Sequence, residues 1–229
     1  MIEIRGVTKT YGKRAAAFTA LDDITITIPD GKTVAILGKS GSGKSTLMHA
    51  ISGLDRPEKG QVLIDGTDIL TLKKKRLDTF RARTIGFIFQ SFFVQANESC
   101  YDNVSLPLEI SDVKRSARRA KVQQALESVD LTDKINAKAK NLSGGQKQRL
   151  AIARAIVNQP KIIFADEPTG NLDSTTSEKV EDLLFGFAHD RGATLIVVTH
   201  DEDLGRKCDI IIRIRDGKVE STEGLEVAS

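Results

Sequence analysis

Thr33-Val34-Ala35-Ile36-Leu37-Gly38-Lys39-Ser40-Gly41-Ser42-Gly43-Lys44-Ser45-Thr46 decides the fold of this chain. The run from Thr33 to Leu37 is almost wholly apolar, the pattern of a strand buried on both faces of a parallel sheet. Gly38 to Ser45 then fits G-x-x-x-x-G-K-[ST] at every defined position. A helix is expected from about Ser45 to about Ser52. Strand, glycine-rich loop, helix is the context in which consecutive backbone N–H groups can converge on phosphate oxygens. Gly38, Gly41 and Gly43 permit the turns, and the helix N-terminus adds its dipole. Lys44 supplies a positive charge to the outer phosphates, and the Ser45 hydroxyl can ligate Mg²⁺. Ser40, Ser42 and Thr46 complete the loop residues expected to contact a nucleoside triphosphate.

The surroundings extend this into an α/β architecture. Upstream, Ile24-Thr25-Ile26-Thr27-Ile28 alternates with period two and stops at Pro29-Asp30-Gly31, which predicts a half-buried strand in an N-terminal antiparallel β subdomain. Gln61 to Gly66 reads as another strand and turn. Downstream, Lys161 to Ala165, Ala193 to Val198 and Asp209 to Arg213 are apolar runs of strand length, with a helix expected from Ser174 to Ala188 between two of them. This alternation predicts a parallel sheet with crossover helices. Residues 91–141 differ: they are rich in helix formers and in heptad-like apolar spacing, with no strong strand. They are read as a helical subdomain inserted into an α/β core of residues 1–90 and 142–229, all within one domain.

Composition narrows the classes. The chain has 229 residues, 40% hydrophobic and 28% charged, which is ordinary for a globular protein. A net charge of +3 gives no support to a nucleic-acid-binding face, and no nucleic-acid partner is expected. The basic stretch Lys73-Lys74-Lys75-Arg76 reads as a solvated helix face. No apolar run approaches the ~18 residues that span a bilayer, and Met1-Ile2-Glu3-Ile4-Arg5 lacks the shape of a secretory signal. A cytoplasmic location is therefore expected. Cys100 and Cys208 fit no metal spacing and are expected to be free thiols.

Leu142-Ser143-Gly144-Gly145-Gln146 is the second informative segment. Ser143 reads as the N-cap of a helix through Ile156, and a capped, glycine-rich helix N-terminus favours anions. With the phosphate loop, this segment resembles the signature of ABC transporter nucleotide-binding subunits. The resemblance covers the chain from Tyr11 to beyond His200. It implies a P-loop NTPase core and two chains closing as a homodimer around two ATP molecules. It implies that Asp166 holds Mg²⁺ and that Glu167 polarises the attacking water. Gln90 would sense both the metal and that water and link them to the helical subdomain. Ser143, Gly145 and Gln146 would meet the γ-phosphate held by the opposite chain. Asn171-Leu172-Asp173 would run along the dimer interface, His200 would hydrogen-bond the γ-phosphate, and Tyr11 would stack on adenine.

Four strings resemble one branch of that family: Ala20 to Ile24, Ile85 to Gln90, Asn103 to Leu108, and Asp166 to Asp173. The branch serves lipoprotein release, macrolide export, antimicrobial-peptide defence and cell division. It implies an integral-membrane permease as partner and a peripheral position on the inner face of the cell membrane. Phe92 to Asp102 departs from the branch pattern, and this is where relatives receive the permease. Soluble family members acting in DNA repair or translation are the alternative. They carry coiled-coil insertions, cysteine clusters or tandem cassettes, and this sequence has none of these.

Overall fold

The computed structural model describes residues 1–12 and 17–224. They divide into two compact units, residues 1–12 and 17–77 with 196–224, and residues 78–195.

The first unit opens with β1 (Ile2–Tyr11) and β2 (Phe18–Ile28), paired antiparallel with Ile2 opposite Ile28 and Ile4 opposite Ile26. Ile2, Ile4, Val7, Ile24, Ile26 and Ile28 are buried, so the period-two pattern does place one apolar face inward. β3 (Thr33–Leu37) is buried from Val34 to Leu37 and leads through the glycine loop into α1 (Lys44–Ile51). β4 (Lys59–Ile64) pairs antiparallel with β1, and β5 (Thr67–Asp68) folds back on β4. The β4–β5 turn is Asp65-Gly66, with φ of 49° and 75°, the doubly left-handed turn that suits a tight hairpin. The four strands lie in the order β2-β1-β4-β5.

The second unit begins within α2 (Lys74–Thr84), whose Lys74, Lys75 and Arg76 are exposed as expected of a solvated face. It contains β6 (Ile85–Phe89), α3 (Cys100–Ile110), α4 (Arg115–Glu127), α5 (Gly144–Ile156), β7 (Ile162–Asp166) and α6 (Ser174–Arg191). β6 and β7 are parallel, in register from Ile85 opposite Ile162 to Phe89 opposite Asp166. Phe87 stacks on Phe164 at 5.9 Å between ring centroids. Gly86 lets α5 approach β6, since a Cβ there would lie 2.6 Å from the Ala155 carbonyl oxygen. Residues 91–141 hold α3, α4 and two 3-10 turns, and α3 and α4 both pack on α5. Ser99 caps α3 in a reciprocal capping box with Asp102.

β8 (Thr194–Thr199) is buried throughout and returns the chain to the first unit, where α7 (Glu202–Arg206), β9 (Ile210–Arg215) and β10 (Lys218–Glu223) follow. β9 runs parallel to β3, with Val34 opposite Ile210 and Leu37 opposite Arg213, in the order β10-β9-β3-β8. The expected α/β fold, with an antiparallel subdomain and a parallel sheet, is what is observed. Among the described residues no helix is long and apolar enough to cross a membrane. Both cysteines are free thiols. Burial pushes the Cys208 thiol up to about 12, so it stays protonated and unreactive.

Candidate functional site

In the first unit, β3 delivers Gly38 to the mouth of the loop. Gly43 is the N-cap of α1 at φ 106°, and a Cβ there would sit 2.5 Å from the Ala20 carbonyl oxygen, so only glycine fits. Lys44 is buried to 8% exposure, and its Nζ donates to the carbonyls of Gly38 at 2.8 Å and Lys39 at 3.0 Å. The ammonium is thus folded across the loop. Ser42 N donates to Lys39 O at 3.1 Å, and Gly217 N donates to Ser42 O at 3.0 Å, which anchors the loop to the β9–β10 turn. The Ser42 hydroxyl oxygen is buried with no hydrogen-bond partner. An unpartnered buried hydroxyl and an inward ammonium within one loop fit phosphate oxygens, which would accept from each.

Tyr11 lies at the end of β1, 40% exposed. Its hydroxyl donates to Asp55 Oδ2 at 2.8 Å, and the Thr46 hydroxyl also bonds the phenol. Lys9 Nζ stands 5.0 Å from the ring centroid and reaches Asp55 Oδ1 at 2.9 Å and the Arg56 carbonyl at 2.8 Å. Burial raises the Asp55 carboxyl, but the hydrogen bonds from Lys9 and Tyr11 outweigh it and hold Asp55 below its ordinary value. The ring is therefore braced at its hydroxyl end and near the helix that carries the loop. His200 follows β8. It lines a cavity of about 590 Å³ together with Gly38 to Ser42, so the loop and this histidine face one space.

In the second unit, the register that sets Phe89 opposite Asp166 also brings Gln90 and Glu167 to the same carboxyl end of parallel strands, where ligands of α/β sheets bind. Gln90 and Asn171 bond reciprocally: Gln90 Nε2 donates to Asn171 Oδ1 at 3.4 Å, and Asn171 Nδ2 donates to Gln90 O at 3.0 Å. Glu167 has φ 46°, a left-handed backbone that side chains resist. Ser143 caps α5. Its Oγ accepts from Gln146 N at 3.3 Å while Gln146 Oε1 accepts from Ser143 N at 3.0 Å. Ser143, Gly144, Gly145 and Gln146 share a cavity of about 370 Å³ with Asn171, Leu172 and Asp173. Asp173 caps α6 through Thr176, whose amide and hydroxyl donate to it at 3.0 and 2.7 Å and hold its carboxyl below the usual range.

The profile of ABC transporters matches residues 21–170, which include the phosphate loop, the signature and Asp166-Glu167. The chain belongs to the ABC transporter family. It is 44% identical over 226 residues to a macrolide export ATP-binding/permease protein, MacB, of Bdellovibrio bacteriovorus, covering 99% of this chain and 34% of that one. It is 41% identical over 219 residues to the ATP-binding protein LolD of the lipoprotein-releasing system of Syntrophus aciditrophicus, covering 96% and 98%. A dimeric, post-hydrolysis structure of the ATP-binding cassette MJ0796 with ADP and Pi superposes with a TM-score of 0.90, at 40% identity over 99% of this chain and all of that one. These relatives place the chain in the lipoprotein-release and macrolide-export branch, as the four sequence strings suggested. It is an ATP-hydrolysing subunit of an ABC transporter.

Within this ABC ATPase, the structure brings the loop residues together with His200, and Tyr11 together with Thr46. It brings Gln90 to the strand end that bears Asp166 and Glu167. It also brings the Ser143–Gln146 segment to Asp173. Lys9 and Asp55, which brace Tyr11, were not legible: they are 46 residues apart, and neither stands in a motif. Asn171 was legible as part of a loop but not as the partner of Gln90.

Proposed function

We propose that each chain binds one Mg-ATP in the Gly38–Ser45 loop and that two copies close around two such nucleotides, driving a membrane permease. The observation that supports this most is the loop itself, where the Lys44 ammonium turns inward onto the Gly38 carbonyl and the Ser42 hydroxyl is buried and unsatisfied. Backbone N–H groups of the loop and Lys44 hold the phosphates. The Ser45 hydroxyl and the Asp166 carboxylate, with Gln90, are hard oxygen donors suited to Mg²⁺, which is held by few protein ligands. When bound, that ion neutralises charge on the phosphate oxygens. Glu167 orients water for in-line attack, and His200 donates to the γ-phosphate. Ser143 and Gly145 of the partner meet the same phosphate, with Gln146 fixing the cap and Asp173 running beside it. Tyr11 stacks on adenine.

Residues 91–141 pass the motion on to the permease, which holds the chain at the inner face of the cell membrane. Phe93 is 65% exposed just after Gln90, and its carbonyl and that of Phe92 accept from Arg154 at 2.6 and 2.9 Å. That arrangement offers a braced apolar contact where the sequence departs from its branch.

Ser143→Ala separates the two halves of this account. Losing the cap lowers stability by about 1 kcal/mol. Turnover falls at least about 10-fold, while ATP affinity of the isolated chain stays unchanged, because the serine acts on a phosphate held by another chain. Equilibrium binding beside steady-state ATPase assays checks this, and an equal loss of affinity would place Ser143 in its own chain's nucleotide site. Tyr11→Ala raises the ATP KM about 5- to 10-fold with kcat little changed, while Tyr11→Phe keeps the ring and shifts KM less than about 2-fold. Equal KM values for the two variants would remove Tyr11 from the base.

A further inference from the structure

The left-handed backbone at Glu167 persists only if its surroundings hold it. Two bonds close the turn from within: Gly170 N donates to Glu167 O at 3.2 Å, and Leu172 N donates to Thr169 O at 3.0 Å. Gln90 meets it at Asn171, and a second side chain reaches it from α5. Gln148, on α5 one turn beyond Gly144, has no exposed surface and donates from Nε2 to the Pro168 carbonyl at 2.5 Å. Its Oε1 is buried without a hydrogen-bond partner. A buried amide with half of its capacity unmet is a poor choice for packing alone, since an apolar side chain of that size would fill the space without the desolvation cost. What an apolar side chain could not do is hold the Pro168 carbonyl.

We propose that Gln148 is a positioning residue, which pins the Pro168 carbonyl and so fixes the turn that aims the Glu167 carboxylate. The proposal rests on the reading of Glu167 as the group that orients water. It also ties two regions of one chain. The helix capped by Ser143, which meets the partner's nucleotide, holds the loop that acts on this chain's own nucleotide.

Gln148→Met keeps the volume and removes the donor. It is expected to lower kcat about 10- to 100-fold, the scale of a small misplacement of a reacting group, with the ATP KM within about 2-fold and the melting temperature close to the parent. Gln148→Glu supplies a second handle, because a carboxylate cannot donate but a carboxylic acid can, and burial raises its pKa. Its kcat relative to the parent is expected to recover as pH falls from 9 to 6, while the ratio for Gln148→Met stays flat. Parent-like kcat in the Met variant overturns the proposal. So does a fall in kcat matched by a rise in KM and a lower melting temperature, the mark of a packing role. If the Met variant does not fold, the pH profile of the Glu variant decides, and a flat ratio overturns the proposal. Glu167→Gln assayed alongside separates the two claims. Parent-like turnover there defeats the reading of Glu167, whereas its collapse beside a parent-like Gln148→Met defeats this inference alone.

Discussion

Glu167→Gln lowers ATP turnover by about 100- to 10,000-fold, the range expected when a positioned general base is lost, and leaves ATP affinity intact. The amide keeps the volume and the left-handed turn but cannot draw a proton from the attacking water. Glu167 lies beyond the β7 strand end, opposite the Gln90 end of β6, where the register sets both beside the space past the strands. Single-turnover hydrolysis with phosphate detection, beside an ATP titration, measures the two effects separately. Turnover equal to the parent would assign the water to another group.

Lys44→Ala removes hydrolysis to background and weakens ATP binding about 10- to 100-fold, the scale of one charge-assisted contact. Its effect differs from that of Glu167→Gln, because here binding is lost with chemistry. The ammonium also donates to the carbonyls of Gly38 and Lys39, so its removal loosens the loop before any phosphate arrives. Steady-state ATPase and equilibrium binding on the same preparation test this. Near-normal turnover would reject the loop as the phosphate site.

Much of this was legible in the sequence because the loop's chemistry is local. Gly38 to Ser45 must be contiguous for its N–H groups to converge, and a buried strand must precede it, so pattern and fold appear together. The Ser143 cap was equally local, with Gln146 three residues on completing the box. β10 was hidden for the opposite reason. Lys218 to Glu223 is polar and only Val219 and Ser221 are even half-buried, so no periodicity marks it. The signal was the Asp216-Gly217 pair, with φ of 48° and 75°, the same hairpin turn as Asp65-Gly66. Left-handed Phe92 and Phe93, at 60° and 46°, were not legible either. Aromatic residues rarely adopt that backbone, and what holds it is Arg154, on a helix some sixty residues further on. The bracing of Tyr11 by Lys9 and Asp55 is nonlocal in the same way.

The closing of two chains on ATP is tested most directly by the mass of the Glu167→Gln chain in solution. Size-exclusion chromatography with light scattering, run at saturating ATP and Mg²⁺, is expected to give twice the 25.0 kDa of the single chain. Without nucleotide, or with Lys44→Ala added, the expected mass is that of one chain. A mass that stays at one chain while ATP is bound and uncleaved would contradict the account.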